Sequence, residues 1–130
     1  MFILDTNIIS DLVRNPGGRA AERLAEVGDG DIATSVIVAG ELRYGCLKKG
    51  SARLAERVEA VLREIKVLSL KPEVSALYGE IRRDLEARDA SIGQNDLWIA
   101  ATARALEAVV VTTDSDFQRV SGLQTEDWTQ

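Results

Sequence analysis

Along this chain, short continuous apolar runs alternate with longer stretches of helical spacing. Phe2-Ile3-Leu4 and Val109-Val110-Val111 are unbroken runs, the form taken by strands covered on both faces of a parallel sheet. Ile32-Ala33 is a shorter run of that kind. Lys66 to Leu70 alternates like a strand with Val67 inside, and Leu68 and Leu70 as further inward candidates. Leu123 to Trp128 reads as an edge strand.

The helical stretches fall between these runs. Ile8, Ile9, Leu12 and Val13 space a helix over Thr6 to Arg14, which Asn15-Pro16-Gly17-Gly18 ends. Residues 19–27 make a short amphipathic helix closed by Gly28-Asp29-Gly30, and Thr34 or Ser35 caps a helix over VIVAGELRYGCLKK. After the break at Gly50-Ser51, Leu54, Val58, Val61, Leu62 and Ile65 share one helical face. Pro72 suits the first position of a helix running through Val74, Leu77, Tyr78, Ile81 and Leu85 to about Arg88. The Ser91-Ile92-Gly93 loop then leads into an alanine-rich helix over Asn95 to Glu107, and a short helix follows TTDSDF. This βαβα alternation predicts an α/β fold, a parallel sheet with helices on both faces. With no repeat, low-complexity tract or linker, residues 1–130 read as one domain.

Carboxylates stand at the ends of these elements. Asp5 closes the first strand, Glu41 lies inside an otherwise apolar helix, Asp96 begins the alanine-rich helix, and Asp114 and Asp116 follow the valine strand. Each has a plain structural reading: Asp5-Thr6-Asn7 as capping groups, Asp96 and Asp114 as acids favoured by a helix dipole, Glu41 as a solvated residue, Asp116 as a loop acid. Together these readings weaken. The carboxyl ends of neighbouring parallel strands lie on one edge, where the following helices begin and where such sheets place their ligands. Asp5, Asp96 and Asp114 therefore converge, and Glu41 joins them if its helix crosses that edge. Gly40 beside it admits either a close backbone approach or a tolerated surface glycine.

Composition narrows the chemistry. The chain has no histidine and one cysteine, Cys46. That excludes histidine-dependent triads and imidazole-ligated zinc, and an intrachain disulfide is impossible. Clustered carboxylates repel one another unless protonated or neutralised. An all-oxygen donor set selects Mg²⁺ or Mn²⁺, and such an ion supports phosphodiester hydrolysis. The net charge of −5 is unexpected for a nucleic-acid binder, but setting the five acids aside leaves sixteen acidic against sixteen basic residues. Arg43, Lys48, Lys49, Arg53 and Arg57 lie near Glu41 in sequence, either as phosphate contacts or as a solvated face. No apolar run reaches the roughly 20 residues of a membrane span, and no signal-peptide pattern opens the chain, so the expected location is cytoplasmic.

The stretches FILDTNIISDL, SVIVAGELRYG, NDLWIAATA and VVVTTDSDF resemble, in order and spacing, the motifs of PIN-domain ribonucleases, above all the VapC toxins of toxin–antitoxin pairs. The likeness covers essentially the whole chain. It implies a three-layer sandwich with sheet order 3-2-1-4-5 and a Mg²⁺- or Mn²⁺-dependent endoribonuclease acting on tRNA, rRNA or mRNA. Matched position by position, it assigns catalytic and metal-binding roles to Asp5, Glu41, Asp96 and Asp114. Asp116 is a further acid that holds a second metal or orients a water. Thr112 occupies the hydroxyl position, and Thr6 or Asn7 orients Asp5 or the water. A homodimer and a VapB-like antitoxin are implied as well. The competing readings are a dehalogenase-type phosphatase, a phosphorylation-receiver domain and a non-catalytic α/β interaction module. The first needs an acid where Asn7 stands, and the second needs a phosphoacceptor aspartate and a late lysine that the strands do not supply. The third requires that the acids stay apart.

Overall fold

The computed structural model describes residues 1–130, the side chain of Asp29 excepted. The two unbroken apolar runs become neighbours. β1 (Phe2–Leu4) pairs in parallel with β4 (Val109–Val111) on one side and with β2 (Ile32–Ser35) on the other. β3 (Lys66–Leu68) adds to β2 and β5 (Gln124–Glu126) to β4, so the five-stranded sheet runs 3-2-1-4-5, as the resemblance implies. Around it lie α1 (Thr6–Arg14), α2 (Arg19–Val27), α3 (Val36–Lys49), α4 (Ala52–Glu64), α5 (Val74–Ala87) and α6 (Gln94–Ala105). α1 packs with α2, α3 and α4, and α5 packs with α6.

The centre of the sheet is the centre of the core. Ile3, Leu4, Ile8, Ile9, Ile99, Val110, Val111 and Phe117 are fully buried. Each such side chain contributes about 1.5–3 kcal/mol relative to exposure. Ala100, Ala101 and Ala103 give α6 a buried face of small residues that lets its backbone approach the sheet.

The helix starts are set by side chains. Asp5 caps α1, accepting from Thr6 N at 2.8 Å; Ser35 caps α3 through Ile37 N at 3.0 Å; Ser51 caps α4 through Leu54 N at 3.1 Å. The capping expectation for Asp5-Thr6-Asn7 thus falls on Asp5 alone, which leaves the side chains of Thr6 and Asn7 free to turn elsewhere.

Several local expectations are corrected. Val67 and Leu70 are 38% and 37% exposed, because β3 is an edge strand with β2 on one side only. Pro72 precedes its helix, in a turn where Val74 N and Ser75 N donate to the carbonyls of Lys71 and Pro72. α6 ends at Ala105: Glu107 takes a left-handed φ of 52°, and Ala108 N donates back to Ala103 O at 2.9 Å, turning the chain into β4. A Cβ at Gly40 would meet nothing within 4 Å, so no close approach explains that glycine. Among the described residues no helix is long and apolar enough to cross a membrane.

Candidate active site

The register of the sheet decides where the acids go. Leu4 stands opposite Val111 on one side and Thr34 on the other, so Asp5 and Thr112 emerge side by side at the carboxyl edge. The backbone makes the join, with Asp5 N donating to Val111 O at 2.9 Å. Asp5 is only 4% exposed, and its carboxylate accepts from Thr6 N at 2.8 Å, Thr112 Oγ1 at 2.8 Å and Asn7 Nδ2 at 3.1 Å. Burial pushes its pKa above the ordinary aspartate range, while the three donors oppose that shift and nearby Asp114 adds to it.

Asn7 links the two strand ends. Its Nδ2 donates to Asp5 Oδ2 and, at 3.3 Å, to Thr112 Oγ1, while its Oδ1 accepts from Thr113 N at 3.0 Å. Thr112 Oγ1 also accepts from Asp114 N at 3.0 Å, and Asp114 Oδ1 accepts from Asp116 N at 2.9 Å, capping the 3₁₀ turn Ser115–Arg119. The capping reading of Asp114 therefore holds alongside its place in the cluster. Thr6 turns the other way, its Oγ1 donating to Glu41 Oε1 at 3.1 Å, which ties α3 to the start of α1.

Asp96 lies in the first turn of α6, half-buried, and has no hydrogen-bond donor among the described residues. Its pKa is pushed up to about 6, first by burial and then by the charges of Asp5, Asp114, Glu41 and Asp116. Asp5 and Asp114 follow paired strand ends, Asp116 is bonded to Asp114, Glu41 is tied to Thr6 beside Asp5, and Asp96 lies within reach of their charges, so the five predicted acids gather at one edge of the sheet. The interaction-module reading, which needed them apart, fails. Of the basic group, Arg43 is engaged with Glu59 on α4 at 2.9 and 3.0 Å.

The donor set fits a hard divalent cation: carboxylate oxygens in mutual repulsion, with no imidazole or thiolate among them. The acids are not drawn into a tight ligand group, since among the described residues no three Asp, Glu or Cys side chains stand close enough to grip one ion as they are. Hydroxyl and amide donors hold Asp5 in that arrangement. Arg119 is the residue the sequence reading missed. It forms an ion pair with Asp116 at 3.3 Å, and its signal was the three-residue spacing that lets two side chains meet across one helical turn.

The PIN domain family model matches residues 2–123. Ribonuclease VapC1 of Haemophilus influenzae (strain R2866) is 34% identical over 133 residues, covering 100% of this chain and 99% of the relative. The tRNA(fMet)-specific endonuclease VapC of Shigella flexneri is 33% identical, covering 98% of this chain and 97% of its own. Among solved structures, VapBC2 from Rickettsia felis, bound to a DNA fragment from its promoter, superposes with a TM-score of 0.91 at 31% identity over 98% of both chains. An edge of five converging acids on a 3-2-1-4-5 sheet, matched at this identity over full length, places the chain in the PIN-domain family, among the VapC ribonucleases.

Proposed function

We propose that this chain is a Mg²⁺- or Mn²⁺-dependent endoribonuclease and the toxin of a toxin–antitoxin pair. The observation that carries the reading is the gathering of Asp5, Glu41, Asp96, Asp114 and Asp116 at the carboxyl edge of the central strands, where Asp96 has no donor among the described residues and burial and the neighbouring charges push its pKa up. Such carboxylates repel one another, and a bound cation relieves that repulsion. Asp5, Glu41, Asp96 and Asp114 are the residues to hold the ion, with Asp116 a further acid at the rim. A divalent cation held there would lower the pKa of a bound water and offset charge on a phosphodiester oxygen. The chain's own residues do the rest. Thr112 and Asn7 fix one oxygen of Asp5, and Thr6 fixes one oxygen of Glu41. With no histidine in the chain, protons released in hydrolysis pass to carboxylates or water.

RNA as substrate is supported by relatives whose names are ribonuclease and tRNA(fMet)-specific endonuclease. A VapB-like antitoxin is supported by solved neighbours that are VapBC pairs. A groove of about 270 Å³ beside Glu41, floored by Val13, Leu42, Cys46, Leu54 and Val58, offers an antitoxin segment an apolar seat leading to the acids. Self-association into a homodimer is supported by exposed Val36, Tyr44 and Leu47 along α3. The expected location is the cytoplasm, where RNA and antitoxin are found together.

The experiment is cleavage of a panel of tRNA, rRNA and mRNA by purified protein with Mg²⁺ or Mn²⁺, with EDTA and with Asp96→Asn. Metal-dependent cuts that vanish in both controls are expected; cutting that persists in EDTA or in Asp96→Asn would overturn the site.

A further inference from the structure

Four carboxylates act on Asp96, and it has no donor of its own among the described residues. Its place against the β4 edge is set by the start of α6. Leu97, in the same first turn, and Ile99 pack that helix into the core. A restraint on the loop just before α6 is supplied by Arg119. Its Nη1 donates to Ser91 O at 3.0 Å, in the loop that leads to Gly93, the N-cap of α6. Its Nη2 lies 3.3 Å from Asp116 Oδ1, the one ion pair that any of the five acids makes among the described residues. Arg119 is itself held: Arg88 Nη2 donates to its carbonyl at 2.6 Å, and Arg88 is braced by Asp84 at 2.7 Å.

Three segments thus meet at Arg119: the loop before α6 and the turn after β4 on its guanidinium, and the end of α5 on its backbone carbonyl. The planar fork of arginine suits this, because its two ends can serve two partners at once. As an exposed ion pair the contact adds little to stability. Its worth is geometric.

We infer that Arg119 is a positioning residue for the acid cluster, holding Asp96 against the β4 edge and engaging Asp116 as its counter-ion. This role rests on the metal-dependent nuclease reading. Under it, Asp116 acts on the cluster through Arg119, and breaking either partner has the same result.

The test measures Mn²⁺ binding by electron paramagnetic resonance without RNA, together with kcat and KM for RNA cleavage. Arg119→Ala is expected to bind Mn²⁺ about 10-fold more weakly and to lower kcat with KM little changed. Asp116→Asn should match it, the double variant should be no worse than the weaker single, and Arg119→Lys should recover part of the loss. Arg82→Ala, which breaks a comparable exposed pair with Glu86 on α5, should leave both measurements at wild-type values. Should Arg119→Ala not fold, Arg119→Lys and Asp116→Asn carry the comparison. Mn²⁺ binding in Arg119→Ala equal to or tighter than wild type would overturn the role, since Asp116 would then be a ligand that Arg119 restrains. A defect confined to KM would overturn it too, by making Arg119 a contact for RNA. A wild-type protein that neither binds Mn²⁺ nor cleaves RNA overturns the nuclease reading itself; one that does both, with Arg119→Ala unchanged, overturns only the role of Arg119.

Discussion

Thr112 Oγ1 donates to Asp5 Oδ2 at 2.8 Å, joining two residues that lie 107 positions apart in the chain. The same oxygen accepts from Asn7 Nδ2 and Asp114 N, so one hydroxyl serves both ends of the central strand pair. Thr112→Val keeps the shape and removes the hydroxyl. Leaving Asp5 short of a donor in a buried setting should cost about 1–3 kcal/mol in urea unfolding. Cleavage should fall about 10–100-fold, as for other groups that orient metal ligands. Thr112→Ser should restore most of both, and equal damage from Ser and Val would show that the hydroxyl is not what matters.

Asp96→Asn should separate stability from activity. In the folded protein the Asp96 pKa is raised to about 6 from an ordinary 3.8, so the folded state holds its proton more tightly than the unfolded chain. Wild type without metal therefore loses stability as pH rises through the window from about 4 to about 6, and the penalty stays in full above it. The amide cannot ionise. Compared by urea midpoints in EDTA, Asp96→Asn should exceed wild type at pH 7.5, and the gap should shrink toward pH 4. A variant less stable than wild type at pH 7.5 would mean that the repulsion is not felt.

Adding Mn²⁺ should reverse that penalty. An ion that binds only the folded state raises stability with concentration, by about 2.7 kcal/mol at a hundred times its Kd. The Tm of wild type should climb with Mn²⁺ and return with EDTA. Asp5→Asn, which removes the most buried carboxylate of the group, should flatten this response and abolish cleavage. A Tm that still climbs normally in Asp5→Asn would remove Asp5 from the ligand set.

Leu47 is 81% exposed and Tyr44 64%, one turn apart on α3, with Val36 on the same helix. Leu47→Glu should shift sedimentation toward the monomer, while unfolding changes by no more than about 0.5 kcal/mol, as is usual for surface positions. An association state identical to wild type across concentrations would place the dimer surface elsewhere.

How far the sequence led depends on the range of each signal. Phe2-Ile3-Leu4 and the three valines declared themselves as strands because a strand buried on both faces needs no pattern beyond continuity. The meeting of Asp5, Asp96 and Asp114 followed from a rule about where parallel strands end, and Glu41 came with the helix that crosses that edge. The order of the strands was supplied by the motif resemblance, since alternation alone does not say which strand is central. Val67 was misjudged because period-2 spacing cannot tell an inner strand from an edge one. Pro72 and Glu107 were misjudged at helix ends, where one turn decides and propensity is weak. The hub role of Asn7 and the contact of Arg119 with Ser91 O depend on segments meeting from distant parts of the chain, so of these only the three-residue spacing of Arg119 from Asp116 was legible locally.

The position of β1 has a consequence in time. It is the first strand made, yet it lies between β2 and β4, and β4 is not synthesised until residue 111. A growing chain holds Asp5 and Glu41 early but has nothing to set Thr112 and Asp114 beside them. The acids assemble only when the fourth strand docks, so the cluster is completed late, with the closing of the sheet.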